Sequence, residues 1–283
     1  LSGWQWDGLS WYYYLDDCRL TGMQNVDGSL FYLDPARDGA MSCGWIFTDN
    51  KWYYASPSGA LANGWQLIGG QWYWFDSLDG CSMVTGRRVI DGHPYLLGTY
   101  GLINGWCLDN GLWYWGSNGE VLTGWLQTGN NWYWLDPAND GAMSRGIVSV
   151  GSSRYYLSDS GAMAVGWAFD GTDWYYADGS GALASGWRSV NGAWYWLDIA
   201  NDNRMVTGFF SIGSNRYHFS STGALSLGWF MSDGDWYYAE PSNASGIVKT
   251  GWLKDGSQYY YLDPAVDGKM LLGHFFCKWE NNC

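Results

Sequence analysis

A glycine, in most instances followed by tryptophan, returns every 19 to 23 residues along the chain. The series runs Gly3, Gly22, Gly44, Gly64, Gly86, Gly105, Gly124, Gly146, Gly166, Gly186, Gly208, Gly228, Gly251 and Gly273. It opens thirteen full repeats and a truncated fourteenth, numbered 1 to 14 below. A period of this length marks an array of small supersecondary units. None of them can bury its apolar face alone, so neighbours must stack. The reading is one repeat array over residues 1–283.

Repeat 7 reads GWLQTGNNWYWLDPANDGAMSR. Its first half, Trp125 to Leu135, sets two short aromatic runs around Gly129-Asn130-Asn131, which predicts a β-hairpin. Its second half, Asp136 to Ser144, is rich in Pro, Asn, Asp and Gly, which predicts turns. Helical periodicity is missing throughout, so the fold class is all-β, a stack of hairpins. A second period overlies the first. The residue after glycine is Met23, Arg87, Ile147, Phe209 or His274 in repeats 2, 5, 8, 11 and 14. Seven residues later, repeats 2, 5, 8 and 11 carry Leu30, Pro94, Arg154 and Arg216 where the others carry an aromatic residue. A loop beginning Asp76, Asp136, Asp198 or Asp263 keeps the same period. Every third repeat thus differs, which predicts a β-solenoid with three hairpins per superhelical turn.

Composition supplies exclusions. The chain has 23 Trp, 22 Tyr and 41 Gly, so its aromatics serve the repeat and its glycines serve turns. A formal charge of −13 argues against nucleic acid, whose binding needs a basic footprint. An acidic surface favours solubility and, weakly, cationic ligands. No apolar run is long enough for a transmembrane helix. No signal peptide is present and Leu1 is not an initiator, so the chain reads as a mature secreted protein or an excised segment. The six cysteines contain no CxxC pair and favour an oxidising exterior over a zinc site. Matched spacing of 25 and 26 residues suggests disulfides Cys18–Cys43 and Cys81–Cys107, leaving Cys277–Cys283, among fifteen possible pairings. His93, His218 and His274 are isolated and meet no nucleophile motif. No cofactor is implied. The chain contains no non-repeating stretch to house a catalytic domain, so it reads as a non-catalytic module. Paired carboxylates for glycoside hydrolysis stay open, since Asp is abundant.

The pattern G-W-x6-W-Y-Y/W…G-x-M-x-x-G resembles the choline-binding, or cell-wall-binding, repeats of bacterial surface proteins and murein hydrolases. The resemblance covers nearly the whole chain. It implies a left-handed solenoid, anchorage to choline on teichoic acid, and a secreted or bacterial cell-surface location. Related repeats in glucan-binding enzymes imply a glucan-binding alternative. It also implies cages made of the Trp after Gly, the Trp seven later, and a Tyr of the next repeat. Carried over, the triples are Trp45, Trp52 and Tyr73; Trp65, Trp72 and Tyr95; Trp106, Trp113 and Tyr133; and Trp125, Trp132 and Tyr155. Then come Trp167, Trp174 and Tyr195; Trp187, Trp194 and Tyr217; and Trp229, Trp236 and Tyr260. Trp4, Trp11 and Phe31 form a weaker version, and Met83, Met143 and Met205 match the position that floors a cage.

The chemistry fits such cages, because a quaternary ammonium donates no hydrogen bond and finds its partner in aromatic faces. Three bland readings stand beside it. The tryptophans could be only core, with the array a structural or adhesion spacer. Arg87, Arg88, Arg154 and Arg216 could be a packing edge; alternatively that edge is free to meet a partner domain, a second copy or an anionic polymer. The Asp loops lack the ligand series of a calcium hand, and Asx turns explain them.

Overall fold

The computed structural model describes residues 1–272. The chain falls into two compact units, one of Leu1–Ser144 and one beginning at Arg145. Both are all-β and use one building element. In each of repeats 1 to 13 the strand that opens with the repeat glycine pairs antiparallel with the strand after it. The register is constant. In repeat 4, Gly64 faces Phe75, Trp65 faces Trp74, Leu67 faces Trp72, and Ile68 faces Gln71 across a two-residue turn.

The turns explain why the register holds. Asp91-Gly92 has φ of 51° and 82°, the doubly left-handed geometry of a type I′ turn, whose twist matches the strands. Where the sequence reads Gly-Asn or Gly-Ser instead, as at Gly129 with φ 60°, the glycine comes first, as type II′ requires.

The core is not made of tryptophan. The largest fully buried side chains are Phe75, Phe219, Leu33, Leu96, Leu97, Leu135, Leu157, Leu197 and Leu262. All but Leu96 stand eleven residues after the opening glycine. In repeats 3, 9 and 12 that position is Ala55, Ala177 or Ala239, and in repeat 6 it is Gly116, where an added Cβ would lie 2.4 Å from the Ile103 carbonyl oxygen. A third expression of the three-repeat period therefore lies in the core.

Successive repeats are joined by backbone. Leu61 N–H donates to Leu30 O at 2.8 Å in the first unit, and Leu183 N–H to Arg154 O at 2.8 Å in the second. The longer loops add a second tie. Asp136 and Asp263 each accept the backbone N–H two residues on, at 2.9 Å, so these are Asx turns leading into one turn of 3-10 helix. From the loop after repeat 10, Asp202 binds Arg154 of repeat 8 at 2.8 Å and Arg204 approaches Asp173 of repeat 9 at 3.9 Å. From the loop after repeat 13, Asp267 binds Arg216 of repeat 11 at 3.0 Å and Lys269 binds Asp235 of repeat 12 at 2.8 Å. In the first unit Asp140, after repeat 7, reaches Arg87 of repeat 5 at 3.4 Å. Each loop clasps repeats one or two places behind it.

These contacts correct three expectations. The arginines of repeats 5, 8 and 11 are not a free edge; they are the clasped partners of loop aspartates, and Arg88 is held by Asp76 at 2.6 Å. Next, the four described cysteines are free thiols. Cys81 sits at a left-handed position, φ 67°, in the cluster of Ile46 and Tyr53. Cys107 packs instead with Leu96 and Tyr114, so the expected Cys81–Cys107 bridge joins two separate cores and is not made. Cys18 and Cys43 are both exposed and likewise unbridged. Cys277 and Cys283 lie outside the described residues. Finally, the Asp loop also occurs after repeat 2, at Asp34, off the expected phase. Its Leu33-Asp34-Pro35-Ala36 sequence carried that signal openly.

Candidate functional site

The hairpin register turns a spacing of seven into a corner. The Trp after Gly faces the residue nine further on, and the second Trp stands two residues before that one on the same strand. The two tryptophans are thus diagonal neighbours on one face, within reach of aromatic rings. Between them in the second strand stands a tyrosine on the opposite face. It turns to the preceding repeat, so one W-Y-W/Y run serves two sites. Repeats 2, 5, 8 and 11 keep this residue, as Phe31, Tyr95, Tyr155 and Tyr217, and lose only their own tryptophan pair.

The rings meet nearly at right angles. Trp45–Trp52 centroids lie 6.1 Å apart at 87°, Trp65–Trp72 6.5 Å at 88°, and Trp106–Trp113 6.4 Å at 89°. In the second unit Trp167–Trp174 measure 6.4 Å at 84°, Trp187–Trp194 6.3 Å at 84°, and Trp229–Trp236 6.5 Å at 82°. The tyrosine closes a third side. Tyr73, Tyr95 and Tyr133 stand 4.9, 4.9 and 5.0 Å from the first tryptophan of their boxes. Tyr195, Tyr217 and Tyr260 stand at 4.7, 5.2 and 4.7 Å. Six of the seven triples are therefore assembled within a single compact unit. Of the seventh, Trp125 and Trp132 make the same corner, 6.4 Å at 87°, in the first unit, while Tyr155 belongs to the second. In repeat 1, Trp4 meets Phe31 at 4.8 Å, and Trp11 packs on Trp6 at 5.5 Å.

Burial separates the paired tryptophans from the core, whereas the box tyrosines Tyr73 and Tyr217 are themselves buried. Trp52, Trp72, Trp174 and Trp236 keep 41 to 45% of their surface exposed, whereas the leucine three residues beyond Trp194, Leu197, is fully buried. The box of repeat 3 opens into a cavity of about 440 Å³ lined by Trp45, Trp52, Tyr73, Met83, Thr99 and Tyr100. That of repeat 9 holds about 370 Å³, with Met205, Ser221 and Thr222 beside its three rings. That of repeat 10 holds about 400 Å³, with Asn243, Ala244 and Ser245 beside its three rings. Met83 and Met205 are placed by short strands paired to Phe75 and Leu197, and Met143 occupies the matching place opposite Leu135.

Two groups escaped sequence reasoning. Tyr54, Trp74 and Tyr176 lie opposite the first tryptophan across the strand, at 5.1 to 5.3 Å, and support it from its own hairpin. The W-Y-W/Y run held that signal. Tyr100, Thr222 and Asn243 come from the tail of the second repeat onward, and no local pattern reveals such a reach.

The fold and site define a class: a stack of β-hairpins that presents three-ring aromatic boxes at the joints between repeats. The family described as "Putative cell wall binding repeat" matches residues 44–61, 63–77, 123–143, 165–183, 185–198, 207–225, 228–242 and 250–265. The structure of CbpJ from Streptococcus pneumoniae is 30% identical over 95% of this chain and 100% of that one, with a TM-score of 0.47. Choline binding protein F from the same organism is 25% identical over 96% of this chain and 100% of that one, with a TM-score of 0.53. The chain belongs to the family of choline-binding, cell wall binding repeat proteins. No curated protein sequence matches it.

Proposed function

We propose that this cell-wall-binding array holds choline groups of teichoic acid in its aromatic boxes and anchors a secreted protein at the bacterial surface, without catalysis of its own. The observation that carries the reading is the division of labour between rings. Leucine, phenylalanine and tyrosine fill the core, while paired tryptophans stand part-exposed at right angles against a tyrosine that closes the third side. Rings that served only packing would be expected to bury their faces. Three π faces converging on one point suit a cation that cannot donate a hydrogen bond. Each box alone binds near millimolar, and a polymer of repeated ligands multiplies that by about 10²–10⁴.

The test is retention of the chain on a tertiary-amine resin, with elution by free choline and not by an equal concentration of sodium chloride. Tryptophan fluorescence must also change on choline addition. A response to α-glucan in place of choline would make the boxes sugar-stacking platforms. Silence to both would leave the array a spacer.

A further inference from the structure

The boxes differ at one position that no ring occupies. In repeat 12 the indole Nε1 of Trp229 donates to the carboxylate Oδ2 of Asp255 at 2.8 Å. Asp255 stands four residues after Gly251, at the end of the first strand of the next repeat. The corresponding residues after the boxes of repeats 3, 4, 6, 9 and 10 are Ile68, Ile90, Thr128, Val190 and Ile212, none of them charged. Asp109 and Asp170 hold the same position, but they follow repeats 5 and 8, which carry Arg87 and Ile147 instead of tryptophan. Only after repeat 12, among these, does a carboxylate meet a box.

Its described neighbours leave that charge unpaired. Lys269 is bound by Asp235 at 2.8 Å, and the Lys254 ammonium lies over the Tyr259 ring, 5.6 Å from its centroid. Among the described residues no ion pair includes Asp255. A carboxylate that accepts from an indole N–H polarises the ring and deepens the negative potential of its face. It also places a full negative charge beside the Trp229 ring, where it attracts a cation directly.

We infer that Asp255 makes the box of Trp229, Trp236 and Tyr260 the charge-selective site of the array, one that ranks a quaternary ammonium above an uncharged ligand of the same shape. The inference rests on the reading of the boxes as choline sites. The boxes of repeats 3, 9 and 10 meet the trimethyl group with rings and uncharged neighbours; this one adds a counter-ion. It fills first as choline rises, and it loses its advantage in salt, because Asp255 is exposed and screened.

The experiment uses the full chain with ¹⁵N-labelled tryptophan, whose indole N–H resonances report each box separately. Choline is titrated against 3,3-dimethylbutan-1-ol, its uncharged isostere. The Trp229 resonance should saturate at about one third of the choline concentration the other boxes need. In Asp255→Asn that advantage should vanish for choline, with half-saturation by the isostere unmoved at Trp229 and all other boxes unchanged. An unchanged choline response at Trp229 in the variant overturns the inference. So does an equal loss for both ligands, which would make Asp255 a prop for the ring. A titration in which no indole responds to choline overturns the choline reading itself, and this inference with it.

Discussion

At the scale of the residue, tryptophan and leucine alternate between exposure and burial within a few positions of one strand. Trp194 is 39% exposed, while Leu197, three residues on, is fully buried. Substitution should separate their roles. Trp174→Ala should remove the binding signal of the repeat 9 box and shift the unfolding midpoint little, since much of the ring already faces water. Leu197→Ala should cost about 2–5 kcal/mol, the range for a buried leucine, with any surviving fold still binding at the other boxes. Chemical denaturation of the two variants, read beside choline titration, checks both. A large stability loss in Trp174→Ala would return the tryptophans to the core. The ring triples were implied by the family resemblance and not by spacing alone; the hairpin register explains why tryptophans seven apart meet. The cysteine pairing was not legible: similar spacing along the chain says nothing about which cores the two residues enter, and Cys81 and Cys107 enter different ones.

At the scale of the element, the hairpin of repeat 11 shows what replaces a box. Phe209 stands where others have tryptophan, 4.8 Å from His218, which stacks on Phe230 of the next repeat at 4.3 Å and 19°. The His218 Nδ1 meets Ser226 Oγ at 2.8 Å. Burial pushes the imidazole below its ordinary value of 6.5, against a smaller opposing pull from Asp233. The unfolded chain therefore takes up its proton at a higher pH than the folded one. The stability His218 lends is whole above pH 6.5 and declines as the pH falls from there through the folded-state pKa. Thermal melts should fall over that interval in the native protein, and His218→Phe should flatten the decline. An unaltered pH profile in that variant would place the acid sensitivity elsewhere. The alternation of strands and turns was legible from the paired aromatic runs and the breaks between them; the turn types, set by Asp-Gly and Gly-Asn, emerge from the structure. The loop clasps were not legible, because an aspartate and an arginine some fifty residues apart leave no mark of pairing on either local sequence.

At the scale of the whole molecule, the clasps set the increments in which such an array can change length. Each loop aspartate needs its arginine two repeats back, as Asp202 needs Arg154 and Asp267 needs Arg216. Removing repeat 12 sets the Asp267 loop two places after repeat 10, where Trp194 stands in place of the arginine. Removing three together, residues 146–207, joins Arg145 to Gly208 and leaves the Asp267–Arg216 clasp and every following register as they are. The three-repeat deletion should fold and melt cooperatively. Deleting residues 228–250 alone should lower the melting temperature and broaden the transition by calorimetry. The array then lengthens and shortens like a ratchet, whose tooth is the triplet and not the hairpin, so that gene duplications or losses that preserve it come in steps of about sixty residues.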